Sequence, residues 1–279
     1  MESVLIFFEN LPSWFRGSLL VGGIVLFWML EGLIPLYTVK YKKWSHAGIN
    51  LTLTVINAAI GIGLAFTLLK TTEFSKEYTL GFLHWIEIPL ILEVIIGLMM
   101  LDLFGAYLVH WTEHKIKWMW KFHIIHHTDT NIDVTSGLRH HPGEIIFRTA
   151  FTLFAVLITG APMSVVVLYQ SLSVLFTHLT HANINMPDKT DRFLSLLFVS
   201  PNMHKIHHHY KLPLTDTNYG NIFSIWDRLF GTFVYAQKGS IVYGIDTHME
   251  PREHSNMKNL FKIPFSEYRP PTSTDSKFK

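Results

Sequence analysis

Long apolar segments dominate the first two thirds of the chain. Three of them cover residues 18–37, 50–69 and 88–109. Each could cross a hydrocarbon core of ~30 Å as a helix that rises ~1.5 Å per residue. A fourth apolar stretch, residues 149–176, is too long for one span and is interrupted by Gly-Ala-Pro at 160–162. Because proline lacks an N–H and glycine is permissive, this interruption favours two apolar helices that meet at a turn; one long kinked helix is the alternative.

These segments predict an all-α integral membrane protein with four to five apolar helices. We expect N-terminal transmembrane helices over residues 1–109, a second region over 110–248 that includes the apolar hairpin 149–176, and a polar, flexible tail over 249–279. Lysines cluster after the first and third spans: Lys40, Lys42, Lys43, Lys115, Lys117 and Lys121. Basic loops stay in the cytoplasm, so we expect the N-terminus outside and a cytoplasm-facing helical cap beyond residue 110.

Composition supports a membrane protein and excludes several kinds of chemistry. Only 16% of the residues are charged and 49% are hydrophobic, with a mean hydropathy of +0.25, whereas soluble domains average ~25% charged residues. The chain contains no cysteine, which excludes disulfide scaffolds, thiolate zinc sites, iron–sulfur clusters and cysteine nucleophiles. A formal net charge of +2 provides no basic surface for nucleic acid. Any metal chemistry must therefore depend on histidine and carboxylates.

Histidine is abundant and clustered, since 13 of the 17 histidines lie between residues 110 and 209. Four groups stand out: His110 with His114, His123 with His126 and His127, His178 with His181, and His204 with His207 and His208. Residues spaced i, i+3 and i+4 share one helix face, so each group can present its imidazoles to one point. Neutral imidazole is a strong ligand for zinc, iron, copper and nickel. Four such groups exceed the needs of one four-coordinate metal and suit a site for two metals.

The other histidines are expected to be less important. His140 and His209 extend two of the groups, and we expect them to support the site or to be exposed. Four more lie outside the groups and are expected to have no metal role: His46, His84, His248 and His254.

Carboxylates near the histidines are candidates for orienting them, because a ligating imidazole usually donates its second N–H to a carboxylate or a carbonyl. Six lie close in sequence to the groups: Glu113, Asp129, Asp133, Glu144, Asp216 and Asp227. An ordinary helix cap or salt bridge is the alternative for each of them. Asp102 is unusual because it lies inside an apolar segment, where acids are costly and normally partnered. We expect Asp102 to support the metal site or a helix contact.

Two other functions remain open on the residues alone. The segment His110-Trp-Thr-Glu-His114 matches the HxxEH signature of inverted zinc peptidases, in which Glu113 would be the general base of a membrane zinc hydrolase. That function would leave both HxxHH groups unexplained. A non-catalytic metal-binding or transport protein would show ionisable residues within several spans and internal repeats, whereas these histidines lie beyond the spans. We therefore favour an enzyme.

Four segments, in order, resemble the sterol desaturase / fatty acid hydroxylase superfamily of membrane-bound di-iron oxygenases. They are DLFGAYLVHWTEH, WKFHIIHHTDTNIDVTSGLRHHPGE, HANINMP and SPNMHKIHHHYKLPLTDTNYGNIFSIWDRLFGT. The resemblance implies that residues 110–248 form a fatty acid hydroxylase-like catalytic domain. It implies iron ligands at His110, His114, His123, His126, His127, His181, His204, His207 and His208. His141 and His178 are further possible ligands, because only some members have histidines at these places.

The resemblance also implies the reaction. It implies two iron ions, O2 as co-substrate, and hydroxylation or desaturation of a fatty acyl, sterol or related lipid C–H bond. No flavin, haem or iron–sulfur motif is visible in the sequence, so the electrons are expected from an external donor of the cytochrome b5 or ferredoxin type. We expect a multi-pass protein of a bacterial inner membrane or the endoplasmic reticulum, with the metal site on the cytoplasmic face.

Overall fold

The computed structural model describes residues 1–38, 41–236 and 238–272 of the chain. Lys40 and residues 273–279, which belong to the predicted basic loop and tail, lie outside the described residues. The α-helices are α1 (Glu2–Glu9), α2 (Ser13–Leu33), α3 (Lys43–Glu77), α4 (Leu90–Asp102), α5 (Leu108–Lys115), α6 (Lys117–His127), α7 (Pro142–Thr159), α8 (Met163–His181), α9 (Asp188–Leu194), α10 (Pro201–His207), α11 (Ile225–Leu229), α12 (Pro251–His254) and α13 (Met257–Lys262). A π-helical turn, Leu103–Tyr107, joins α4 to α5. Short 3-10 turns occur at Phe82–Trp85, Val134–Leu138, Leu214–Asp216 and Ile263–Phe265.

The predicted all-α membrane fold is confirmed, with five helical segments long and apolar enough to cross a membrane. They are Trp14–Leu33, Lys43–Trp85, Leu90–Lys115, Pro142–Thr159 and Met163–His181. The fourth apolar stretch forms two helices rather than one kinked helix. Gly160 ends α7 in the left-handed conformation, at φ 74°, and Pro162 precedes the first residue of α8.

The connections α3–α4 and α7–α8 meet at one end of the bundle. A Cβ atom on Gly81 would lie 2.1 Å from the backbone nitrogen of Gly160, so the two turns approach each other closely. The histidine ends of α5 and α8 lie at the other end of their helices. This arrangement suits five crossings that leave both histidine regions on one side, which is the arrangement that the lysine pattern predicts.

A cap, residues 116–141 and 182–272, covers the histidine ends of the spans. Arg139 of the cap is fully buried and donates from Nη1 to Oδ1 of Asn50 in α3, at 3.0 Å. The tail was expected to be flexible, but this prediction is wrong for its first part. Leu260 of α13 is completely buried in a cluster with Leu53 and Ile125, because α13 is amphipathic enough to bury an apolar side chain against α3 and α6.

Candidate metal centre

The nine histidines predicted as ligands converge in two groups. Group one contains His110, His114, His123, His127 and His207. Group two contains His126, His181, His204 and His208. Within each group one ring nitrogen per residue lies within 4.8 Å of all the others. The groups adjoin each other, since the rings of His127 and His208 stack at 4.8 Å between centroids.

Both HxxHH segments contribute to both groups, and helix geometry explains how. A helix turns by about 100° per residue. Position i+4 therefore lies ~40° to one side of position i around the helix, whereas position i+3 lies ~60° to the opposite side. In α6 the i and i+4 residues enter group one and the i+3 residue, His126, enters group two. In α10 the assignment is reversed, so that only His207 enters group one. Each segment therefore holds the two groups side by side.

In group one the Nδ1 atoms of His110 and His207 are held by hydrogen bonds, whereas the Nε2 atoms have no partner among the described residues. The Nδ1 atom of His110 lies 2.9 Å from the carbonyl oxygen of Tyr219, and that of His207 lies 2.6 Å from the carbonyl oxygen of Thr217. A carbonyl can only accept, so these Nδ1 atoms donate and leave a lone pair on Nε2. The Nε2 atoms of all five rings are buried without a hydrogen-bond partner among the described residues. Five buried Nε2 atoms without a partner, on rings that each bring one nitrogen within 4.8 Å of the others, fit a metal ion.

In group two the Nε2 atoms contact one another. The distances are 3.3 Å from His126 to His181, 3.0 Å from His181 to His204, and 3.3 Å from His204 to His208. Neighbouring ligands of an octahedral ion with metal–nitrogen bonds of ~2.1 Å lie ~3.0 Å apart, so this spacing also fits a metal. His181 donates from Nδ1 to the carbonyl oxygen of Thr177 at 2.9 Å, which leaves its Nε2 lone pair for the centre.

Burial keeps these imidazoles neutral, which is the form that binds metals. Loss of solvent lowers the pKa of His123 to about 3, although the carboxylate of Glu144 opposes the shift. Burial and the neighbouring imidazoles hold the pKa values of His127 and His207 well below the ordinary range. At neutral pH these rings therefore carry no charge that would repel a cation.

Two buried carboxylates and one arginine support group one from outside. Oε1 of Glu144 accepts from Nδ1 of His123 at 3.0 Å, and it also lies 2.9 Å from Nδ1 of His140 and 2.7 Å from Nε of Arg148. Glu113 accepts from Nη2 of Arg148 at 2.7 Å and lies 3.5 Å from Nδ1 of His123. Arg148 thus donates to both buried carboxylates, and Glu144 in turn holds the ring of His123.

Asp216 has the corresponding position beside His114. Its Oδ1 lies 3.4 Å from Nδ1 of that ring, and its Oδ2 pairs with Lys115. Burial alone would raise the pKa of Asp216, but the contacts with His114 and Lys115 lower it below its usual value. Asp216 also borders a surface cavity of about 200 Å³ lined by Trp120 and Arg269. The cavity thus leads from the polar surface to a group-one histidine.

Asp227 and Asp102 contribute through the backbone. Asp227 accepts from the backbone nitrogens of Tyr219 at 2.7 Å and Gly220 at 2.9 Å, and so it positions the carbonyl that holds His110. Asp102 accepts from the backbone nitrogens of Ile222 and Phe223, both at 3.1 Å, and thereby joins α4 to the cap. Neither carboxylate hydrogen-bonds to any of the nine rings in the described part of the chain.

Asp129 and Asp133 hold a histidine that is not one of the nine. Nε2 of His46 lies 2.8 Å from both oxygens of Asp129, and its Nδ1 lies 3.2 Å from Oδ2 of Asp133. Asp129 also accepts from the hydroxyl of Ser136 at 2.8 Å. Within the described residues neither aspartate hydrogen-bonds to a ring of the two groups. These aspartates fasten α3 to the cap beside group two.

His141 and His178 lie outside both groups. His141 accepts from the backbone nitrogen of Gly143 at 2.9 Å and caps α7. His178 is completely buried against α2, where a Cβ on Gly23 would lie 2.3 Å from its Nδ1. The structure does not bring either ring into the two groups, although the family resemblance made both possible ligands.

Several supporting groups were missed from the sequence. His140, by contrast, was expected to support the site or to be exposed, and it stacks on His126 at 4.5 Å between ring centroids. Arg148 is four residues after Glu144, and this i, i+4 spacing of opposite charges was a usable signal. The roles of the carbonyl oxygens of Thr217 and Tyr219 could not be recognised in the sequence, because every residue has a backbone carbonyl.

Comparison with known proteins agrees with this geometry. The family model described as fatty acid hydroxylase matches residues 94–232. The ornithine lipid hydroxylase of Rhizobium tropici is 29% identical over 74% of this chain and 62% of its own length. The human alkylglycerol monooxygenase is 29% identical over 52% of this chain and 31% of its own. A very-long-chain aldehyde decarbonylase of rice (Oryza sativa subsp. indica) is 31% identical over 53% of this chain and 54% of its own.

The chain thus spans 62% and 31% of the lengths of the first two of these relatives. No solved structure matches it significantly. The first two relatives are named hydroxylase and monooxygenase, and the five apolar helices of the described residues support a multi-pass membrane protein. The matched family model and these relatives together show that the chain belongs to the sterol desaturase / fatty acid hydroxylase superfamily.

Proposed function

We propose that the chain is an O2-dependent di-iron oxygenase that oxidises a C–H bond of a membrane lipid. The observation that carries the proposal is the division of nine buried histidines into two adjacent groups with inward-facing lone pairs. The nine would be the ligands, with group one and group two each holding one iron. Iron bound there would supply activation of O2 and oxidation of an unactivated C–H bond.

The chain's own residues prepare the site for this chemistry. Tyr219 and Thr217 fix two rings through their carbonyl oxygens, and Glu144 fixes a third. Burial excludes water from the rings, which protects a reactive centre from side reactions. Hydroxylation of one C–H bond consumes one O2, two electrons and two protons, and it releases one water. Since no flavin, haem or iron–sulfur motif is visible in the sequence, we propose an external donor of the cytochrome b5 or ferredoxin type.

The proposed substrate is a lipid that carries a long hydrocarbon chain. The ligands of both groups include residues at the ends of apolar segments, His110 and His114 after α4 and His181 at the end of α8. A hydrocarbon tail in the bilayer could therefore approach the centre along these helices. The relatives are named for ornithine lipid and alkylglycerol, which supports a lipid of this kind.

The two alternative functions have less support. In an HxxEH peptidase Glu113 would activate water at the metal, but here its Oε2 is held by Arg148 at 2.7 Å. Five histidines surround that centre, whereas a zinc hydrolase needs only three protein ligands. A transport function finds no support in the relatives, which are named as enzymes.

Metal analysis of the purified full chain tests the proposal. We expect about two iron ions per chain in the wild type and about one in His127→Ala and in His126→Ala, because these variants disrupt different groups. His254→Gln is the matched control, since this half-buried histidine lies outside both groups, and it should keep both ions. Hydroxylated lipid should be absent from cells with either alanine variant. Zinc in place of iron, or unchanged iron in both alanine variants, would contradict the proposal.

We also propose that the metal centre faces the cytoplasm, on the basis of the lysines near the ends of the first and third spans. The chain has no cysteine, so a single Lys258→Cys reports the side of the cap. A membrane-impermeant maleimide should label it only after the cells are permeabilised. Labelling of intact cells would place the cap outside.

A further inference from the structure

The cap carries an apolar surface that is exposed in the described structure. We call it the α9–α11 patch, and its side chains are between 37% and 76% exposed: Phe193, Leu196, Leu197, Ile225, Leu229 and Phe230. Its two segments are joined by hydrogen bonds, since Ser224 donates from its backbone nitrogen to the carbonyl oxygen of Leu197 at 3.1 Å. A single apolar surface of this kind normally marks a binding site.

Asp102 fixes the depth of this patch relative to α4. The carboxylate accepts from the backbone nitrogens of Ile222 and Phe223 and from Nε1 of Trp226, each at 3.1 Å. One turn further along the same segment, the ring of Phe230 stacks on Tyr107 at 5.3 Å. The chain beside the patch is therefore attached to residues 102–107 of the third apolar segment.

Residues 102–107 lie within the membrane-spanning part of this segment, on the bilayer side of its histidine end. The stretch from Leu90 to Val109 is about the ~20 residues needed to cross the hydrocarbon core. Asp102 lies seven residues before Val109, which is roughly 10 Å toward the centre of the bilayer at ~1.5 Å per residue. At this depth a non-helical backbone needs internal hydrogen-bond partners, and the Asp102 carboxylate provides them.

A contact with a second helix, α8, places the patch at a similar depth in the membrane. The ring of Phe198, next to the patch, lies 5.5 Å from that of Phe176 in α8. Because α8 has only 19 residues, nearly all of it is needed to cross the membrane. Phe176 lies five residues before His181, which is roughly 8 Å inside the end of the helix.

Two arginines border the patch. The guanidinium of Arg228 lies 3.7 Å from the ring centroid of Phe233 and donates to the carbonyl oxygen of Ser195 at 2.9 Å. The guanidinium of Arg192 lies 4.4 Å from the ring centroid of Tyr235. Long cationic side chains at the edge of an apolar surface can reach the headgroup layer of a membrane.

We propose that the α9–α11 patch is inserted into the bilayer leaflet next to α4 and α8, in contact with lipid acyl chains. The cap is then a monotopic element that enters the membrane from one side in addition to the five spans. Insertion places the apolar side chains in hydrocarbon and the two arginines among the headgroups. The helix α4 carries exposed apolar side chains of its own at Ile91, Leu92 and Ile95, as a lipid-facing helix would.

Spin labels on the cysteine-free chain test the insertion. Leu197→Cys and Leu229→Cys would each be labelled with a nitroxide in the full chain, reconstituted in phosphatidylcholine–phosphatidylglycerol vesicles. Ile62→Cys, at an exposed position in α3, is the control for lipid, and Lys258→Cys is the control for water. Collision with dissolved oxygen and with a water-soluble nickel chelate is then measured by power saturation. Monodispersity in size-exclusion chromatography verifies that each variant is folded.

Insertion predicts that both patch labels resemble the Ile62→Cys label. Their ratio of oxygen to nickel accessibility should exceed that of Lys258→Cys by about tenfold, as expected in hydrocarbon. A ratio equal to that of Lys258→Cys would show that the patch faces water and would overturn the proposal. Low accessibility to both reagents, with dipolar broadening between labels, would overturn it in favour of a second copy of the chain.

Discussion

Replacing Glu144 by glutamine should weaken metal binding at one group and leave the other unchanged. The carboxylate of Glu144 contacts His123 and His140, and it pairs with Arg148. Glutamine has almost the same shape but lacks the negative charge that favours both the Nδ1–H form of His123 and a cation at the centre. Of the two groups, only group one contains His123. The loss of metal affinity should therefore be confined to group one.

The size of the effect follows from the number of ligands affected. Only one of the five rings of group one hydrogen-bonds to Glu144, so the site should persist with lower affinity. Loss of a partner that orients a ligating histidine lowers metal affinity by about 10–100-fold, which is about 1.4–2.7 kcal/mol. Group two should change by less than a factor of about two, because none of its four rings contacts Glu144.

A chelator titration of the iron-loaded protein measures this difference. The iron retained per chain should fall in two steps, and Glu144→Gln should shift only one of them to a lower chelator concentration. Glu73→Gln is a matched control, because Glu73 is exposed and pairs only with Lys70 among the described residues. Equal shifts of both steps would mean that the two groups are not separate sites. An unchanged titration would show that Glu144 does not orient a ligand.

Three further predictions concern stability, each read from thermal unfolding in detergent. Asp102→Ala removes the acceptor of four buried donors, each worth about 1–3 kcal/mol when unsatisfied. The unfolding midpoint of Asp102→Ala should fall far below that of the wild type. The midpoint of Asp102→Asn should fall less, because asparagine keeps one acceptor oxygen. Equal midpoints for the wild type and Asp102→Ala would refute the assigned role. Gly23→Ala places a Cβ 2.3 Å from Nδ1 of His178 and should cost about 1–3 kcal/mol by overpacking. Gly22→Ala, which meets nothing within 4 Å, should cost nothing, and similar losses in both would refute the close approach. Metal-free protein should lose stability as the pH falls below about 6.5, because the unfolded chain then binds protons that the buried rings, such as His123 with its pKa of about 3, do not. Each such ring should lower the free energy of unfolding by about 1.4 kcal/mol at pH 5.5. An unfolding midpoint that is constant between pH 7.5 and 5.5 would contradict the buried neutral state of the rings.

The clustering of histidines within each helix could be predicted because helical spacing is a local property. Within α6 the separations of His123, His126 and His127 determine which rings share a flank of the helix, whatever the rest of the chain does. The break between α7 and α8 could be predicted for the same reason, since Gly160 and Pro162 act on their own backbone. The five apolar segments depend only on length and hydropathy.

The supporting contacts could not be predicted, because they join residues that are distant in sequence. His46 was expected to have no metal role and lies outside both groups, but its aspartate partners, 83 and 87 residues away, could not be foreseen. Asp129, Asp133 and Asp227, chosen by proximity in sequence, do not hydrogen-bond to the nine rings in the described structure, whereas Asp216 lies 3.4 Å from Nδ1 of His114. Glu144, named only as one candidate among six, contacts His123 directly. Sequence distance is thus a poor guide to contacts outside one helix.

Buried polar groups in this chain fall into two classes, and the difference connects the fold to the proposed chemistry. Asp102 is satisfied by four donors from the protein, so its cost in an apolar segment is met by the fold itself. The five Nε2 atoms of group one have no partner within the described residues, and a buried polar atom without a partner costs about 1–3 kcal/mol. A fold that leaves such atoms side by side is strained until a cation binds them, so metal binding should contribute to the stability of the cap as well as to catalysis. Removal of the metal should therefore loosen α6 and α10 together with the histidine end of α5, because these three elements carry the five group-one rings.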